Sequence, residues 1–302
     1  MLKEMIKNLA AKAGNRFKPR NNYSNPDDLE KATCYIERYR EIVSDPLNVL
    51  IRRVPDAGYI TKAGCVILHN GNRVPIQGKY AYYKSFSDIL IINRGVHEPL
   101  EEYCFQSVLE KINSSAPVMI ELGAYWSHYS MWLKRRYPSS VCYMVEPDEN
   151  NLECGRQNFK INGFDGVFVK ALVGDGGFQL DRFVEDRGLE SIEILHSDIQ
   201  GHEVKMLEDA RRFLGAQKAK YIFISTHSND LHGAVIDLLK KYAYRVEVES
   251  DFETHTTSSD GFVFASAPTV PAIFENFHPL GRVDIAKSSP EALLASINHV
   301  KY

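Results

Sequence analysis

From Pro117 onward, short apolar runs alternate with stretches of helical periodicity. Val118–Leu122, Val141–Val145, Gly166–Val173, Ile192–Leu195 and Tyr221–Ser225 read as buried strands. The segments at about Ser127–Tyr137, Asp148–Asn162, His202–Leu214 and Asn229–Tyr242 read as the helices between them. Alternation of this kind predicts a parallel sheet with helices on both faces. Tyr244–Glu249 and Gly261–Ala265 follow with only a loop between them, which predicts an antiparallel pair at one edge. The expected fold class is therefore α/β: a doubly wound, Rossmann-like sheet of seven strands.

The first third reads differently. Met1–Gly14 predicts an amphipathic helix, and Asn25-Pro26-Asp27-Asp28 opens a second helix that Asp45-Pro46 ends. Asn70-Gly71 between two apolar runs predicts a β-hairpin. Tyr80, Tyr82, Tyr83 and Phe86 fit either a platform for a sugar ring or alternating burial in a strand. Ser87–Asn93 predicts a further strand and Glu98–Ile112 a helix. The tail from Ala267 carries one helix starting near Ser289-Pro290. Three regions result: 1–95, a helical and β-hairpin elaboration assigned substrate selectivity and oligomer contacts; 96–267, the α/β domain; and 268–302, the tail.

Composition changes this picture little. A net charge of -3 provides no basic surface for nucleic acid, although the first twenty residues are locally basic. The five cysteines form no C-x-x-C pair, which argues against a disulfide scaffold or thiolate zinc site and for a reduced, cytoplasmic setting. No signal-peptide core and no membrane-length apolar run is present, so no membrane insertion is expected.

Ligands of open α/β sheets bind beyond the carboxyl ends of the strands, where the winding reverses. Glu121 ends the first strand of the alternating region and Glu146 the second. Glu121 suits the amino group of a methionine-like tail, whose carboxylate would meet the next helix N-terminus. Glu146 suits two ribose hydroxyls, and Gly123 would admit close backbone approach. The turn lacks the G-x-G-x-x-G that a dinucleotide pyrophosphate needs, so S-adenosylmethionine is expected rather than NAD.

Glu121–Ser130, Val145-Glu-Pro-Asp-Glu-Asn-Asn-Leu152, Leu180-Asp181 and His196-Ser-Asp-Ile-Gln-Gly-His-Glu-Val-Lys-Met-Leu207 resemble the FkbM-type methyltransferases, as does Val96-His-Glu-Pro99 upstream. The resemblance implies methyl transfer to oxygen, often on a sugar, glycan or polyketide-like metabolite. It implies that Glu121, Gly123 and Ala124 line the methionine end, that Glu146 with Pro147 holds the ribose, and that Asp198 and Glu203 surround the transferred methyl. The chain departs from the family at Glu121 (Asp in the family), Ser127 (Gly) and His196 (Lys). Ser127 stays in the expected cofactor turn.

At the acceptor side, Asp198 ends the fourth strand of the alternation and His227 the fifth. His227 is the first choice for general base, since neutral imidazole exists near pH 7, with Asp198 orienting it or binding the acceptor hydroxyl. A divalent cation held by Asp198, His227 and either Asp230 or Asp260 is a second reading. Glu203, His202 and Trp126 are candidate substrate contacts. The bland alternatives are a first-turn acid for Glu203, packing for His202 and His128, and for Trp126 packing against the helix rather than a lid. The expected activity is O-methylation of a sugar or glycan hydroxyl. O- or N-methylation of another small metabolite, or a non-catalytic binding subunit, stays open.

Overall fold

A computed structural model describes residues 39–82, 87–174, 176–252, 256–258 and 260–300. The helix expected over Met1–Gly14, most of the one from Asn25, and Tyr83 and Phe86 lie outside the described residues. Arg40–Tyr302 forms one compact unit, so the hairpin region and the tail pack with the sheet and not as separate bodies.

Residues 39–44 are helical and stop at Asp45, whose carboxylate accepts from the Leu47 amide and caps a 3-10 turn, Pro46–Val49. β1 (Cys65–Ile67) and β2 (Arg73–Pro75) form the predicted antiparallel hairpin. Gly71 in its turn has φ 86°, a value that a side chain disfavours. The apolar run after Ser87 is a short helix, α1 (Asp88–Ile92), not the expected strand. Its β-branched content suggested a strand, but Ile89 and Leu90 are buried while Ile92 is 57% exposed, a helical and not an alternating pattern. α2 (Pro99–Leu109) follows, with Pro99 in its first turn.

The main sheet comprises β3 (Val118–Leu122), β4 (Val141–Glu146), β5 (Val167–Lys170), β6 (Ile192–Ser197), β7 (Ala219–Thr226), β8 (Arg245–Ser250) and β9 (Gly261–Ser266). Its order is β5-β4-β3-β6-β7-β9-β8. Five strands run parallel, and β9 lies antiparallel to both β7 and β8. The chain winds outward from β3 to β5, crosses back to β6 beside β3, and winds the other way, so β3/β6 is the switch point.

Between the strands run α3 (His128–Arg136), α4 (Glu149–Asn162), α5 (Leu180–Asp186), α6 (Glu203–Asp209), α7 (Arg211–Gly215) and α8 (Asn229–Lys241). The helix expected over His202–Leu214 breaks at Ala210 into α6 and α7. α5, and α9 (Arg282–Lys287) in the tail, were not expected; each is too short to show a clear period. α10 (Pro290–Val300) starts at the predicted proline.

One sheet face is apolar: Ile120, Leu122, Val145, Leu195, Ile222 and Ile224 are buried with Leu207, Phe213 and Leu239. Each such aliphatic side chain contributes roughly 1.5–3 kcal/mol by leaving water. The opposite face packs on α2 and α3, where Phe105 meets Phe223 at 5.4 Å and Tyr129 meets His196 at 4.3 Å. That second face carries the polar chemistry.

Candidate functional site

Strand register sets the frame. Glu121 pairs with Met144 on β4 and with His196 on β6. Paired residues of parallel strands share a face, and side chains alternate along a strand. Glu146 therefore lies on the face of Glu121, two positions beyond its partner, at the carboxyl end.

The turn after β3 is held by backbone bonds. The Gly123 and Ala124 amides both donate to Val145 O, at 2.8 and 3.0 Å. A Cβ on Gly123 would sit 1.7 Å from Asp198 O, so this glycine closes the ends of β3 and β6 together; ligand approach is not what excludes a side chain here. Tyr125 and Ser127 take positive φ values of 38° and 60°, the latter where the family places glycine. Such strained backbone persists where its surroundings hold it, often at binding sites.

Glu121 is 3% exposed and accepts from the Ser130 amide at 3.1 Å, closing the first turn of α3 that the methionine carboxylate was expected to use. Burial raises its pKa. Glu146 accepts from the Tyr125 amide (3.2 Å) and the Asp148 amide (3.0 Å), and burial raises its pKa too. Glu146 thus ties the cofactor turn to the end of β4. Pro147 beside it is exposed. Ser127 is buried, and a Cβ on Gly155 of α4 would lie 2.4 Å from its hydroxyl oxygen, so that oxygen is turned toward α4.

At the ends of β6 and β7 a second group assembles around His227. Its Nδ1 lies 2.9 Å from Glu203 Oε1, and its Nε2 lies 3.2 Å from Asp198 Oδ1 and 3.5 Å from Asp260 Oδ1. Glu203 is fully buried and also accepts from the Gly201 amide, so it is more than a first-turn acid: it orients the ring. Burial opposes charge on His227, but the bonds to Asp198 and Glu203 outweigh it and push its pKa up to about 10. The ring is cationic at neutral pH, unlike the neutral base expected from its position alone. Asp198, His227 and Asp260 each present a ligand atom within 4.8 Å of the others, a set able to hold a metal ion. Asp230, the other acid considered, is exposed in the first turn of α8.

Other expected contacts lie elsewhere. Trp126 is 6% exposed and stacks on His128 (4.9 Å, 19°) and against Tyr82 (4.4 Å), so it is packed and forms no lid. His202 opens α6 beside Gly174. His196, expected toward the acceptor, is buried under the sheet face with Nε2 2.5 Å from Glu101 Oε1. Gln200, which reading by strand ends passed over, places its amide 2.9 Å from His227 Nε2 and 3.1 Å from Asp198 Oδ1. Its φ of 54° follows from the sharp turn at Gln200-Gly201, the one local signal that marked it.

The order with β9 reversed inside the edge is the seven-stranded, doubly wound Rossmann-like sheet that the sequence predicts, with acids at its strand ends. Residues 178–246 match the family model described as "Methyltransferase FkbM domain", which covers α5 through β8 and includes Asp198, Glu203 and His227. This segment of the chain is similar to the FkbM methyltransferase domain.

No curated protein matches the chain. Among solved structures, precorrin-6y C5,15-methyltransferase from Geobacter metallireducens is 16% identical, with TM-score 0.41, over 55% of this chain and 88% of that one. TrmK of M. capricolum, solved with S-adenosylhomocysteine, is 12% identical with TM-score 0.39, over 65% and 81%. The bifunctional kinase-methyltransferase WbdD is 14% identical with TM-score 0.39, over 58% and 39%.

Proposed function

We propose that the protein O-methylates a hydroxyl of a sugar or glycan, gripping the acceptor through a divalent cation at Asp198, His227 and Asp260. S-adenosylmethionine supplies the methyl group as an electrophilic sulfonium. Glu146 would hold its ribose and the turn Gly123–Ser127 its methionine end. Transfer is an in-line displacement, so the chain contributes mainly alignment and charge.

The observation that carries this reading is three carboxylates around one histidine at the carboxyl ends of β6 and β7. Negative charge concentrated there binds the His227 proton tightly and suits a cation equally well. Two carboxylates and one imidazole fit a divalent ion, which acidifies a hydroxyl bound to it. Glu203 fixes the ring from behind.

The test is S-adenosylhomocysteine release over a panel of free sugars, nucleotide sugars, oligosaccharides and non-sugar alcohols, with and without EDTA. Turnover confined to non-sugar alcohols would overturn the acceptor class. Rates unaffected by EDTA and by Asp198→Asn would overturn the cation.

A further inference from the structure

We propose a second, structural metal site in the interior, in which His69, Glu102 and His128 bind one zinc ion that locks the cofactor turn to the N-terminal hairpin. These three residues come from the β1–β2 turn, from α2 and from the first position of α3. They are 1%, 0% and 1% exposed, and their ligand atoms lie within 4.8 Å of one another.

Hydrogen bonding around the site leaves its inner atoms unmatched. Glu102 Oε1 is anchored by the backbone amides of His97 (2.9 Å) and Glu98 (3.2 Å). Its Oε2 is buried with no hydrogen-bond partner and lies 2.9 Å from His69 Nε2, which has none either. The pair is close but lacks the angles of a hydrogen bond. His69 Nδ1 sits 3.4 Å from Arg52 O, and a proton on Nδ1 would leave Nε2 free to bind a metal. Both nitrogens of His128 are buried without a partner as well, and Nε2 lies 3.8 Å from Glu102 Oε1. Four buried polar atoms without a hydrogen-bond partner are costly, since buried polar groups are almost always satisfied.

A zinc ion between them satisfies three of these atoms together, one from each residue. Two imidazoles and a carboxylate are a recurring zinc set that a water completes to four ligands, with ligand bonds of about 2.0–2.2 Å. The His69 contact to Arg52 O is the outer bond that typically fixes a ligating ring. His97 stands against the same carboxylate, with Nδ1 2.5 Å from Glu102 Oε1, and its ring meets His128 edge-on at 4.7 Å. Full burial keeps the acceptor away, so the role is structural. Trp126, stacked on His128, carries the constraint into the strained turn.

The experiment uses the full chain, purified without chelator and dialysed. Zinc is counted by plasma mass spectrometry, and ligand-field bands are read after exchange with cobalt(II). About one zinc per chain is expected in the wild type. It should persist in an Asp198→Asn/Asp260→Asn double variant and be lost in Glu102→Gln and His128→Asn. Metal retained at the wild-type level in both Glu102→Gln and His128→Asn overturns the site. So does a wild type that holds no zinc and develops no tetrahedral cobalt bands on titration. Those wild-type measurements decide the matter even if a variant fails to fold. Methyl transfer is not among the readouts, so failure here leaves the acceptor-side cation to its own test.

Discussion

Two clusters of histidine and carboxylate differ in depth. His69, Glu102 and His128 are buried to within 1% of completely, whereas the side chains of His227, Asp198 and Asp260 are 14%, 31% and 20% exposed. Glu102 has no water to solvate it. Burial opposes its ionisation, yet the histidines beside it hold its pKa well below the usual carboxylate range. Asp45 is also buried, with no cationic partner among the described residues, and burial pushes its pKa up to about 6. The lesson is that depth sets the cost of a charge, and the neighbour decides whether it is kept. On the reading proposed above, the deep cluster serves the fold and the shallow one, with its excess of negative charge, serves a ligand.

The largest break in this contrast should come from the interior. Glu102→Ala removes the charge that its histidines surround, and chemical denaturation should show a loss of about 3–5 kcal/mol. A loss below about 1 kcal/mol would place Glu102 with surface acids. Next comes the unpaired acid. The pKa of Asp45 is raised in the folded state, so its favourable contribution is fully present below the unfolded value near 4 and is lost as pH rises through about 6. The change amounts to about 3 kcal/mol. Stability measured across pH 4–6 should fall with rising pH in the wild type and lose that slope in Asp45→Asn.

The shallow cluster should respond in rate more than in stability. Glu203→Gln frees the His227 ring, and kcat for methyl transfer should drop about 100-fold with KM changed little. A variant that loses only stability would make Glu203 a structural acid. The smallest effect is expected at Arg182 and Asp186, an exposed pair on α5 separated by 3.5 Å. Arg182→Ala should cost less than about 0.5 kcal/mol in the same denaturation assay and so provides the baseline for the others.

Much of the fold was legible. β3, β4, β6 and β7 appear within a residue or two of their apolar runs, because a strand buried on both faces must be apolar along its length. Ser87–Asn93 failed for the same reason in reverse: five residues of mixed branched chains fit a strand or a short helix equally well. In the site, Asp198 and His227 were found by their places at strand ends. Glu203 was undervalued because its importance lies in a contact across 24 positions, with His227.

Local alternation of apolar and polar residues determined the α/β class, the strand order's starting point and which side chains stand at the carboxyl ends. These are properties of a few consecutive residues, and the backbone's fixed periods express them directly. Only the tertiary structure decided what those side chains meet. His196 finds Glu101 across 95 positions, and His69, Glu102 and His128 converge from three separate elements. Such meetings depend on how helices pack over the sheet, and no spacing along the chain encodes that geometry.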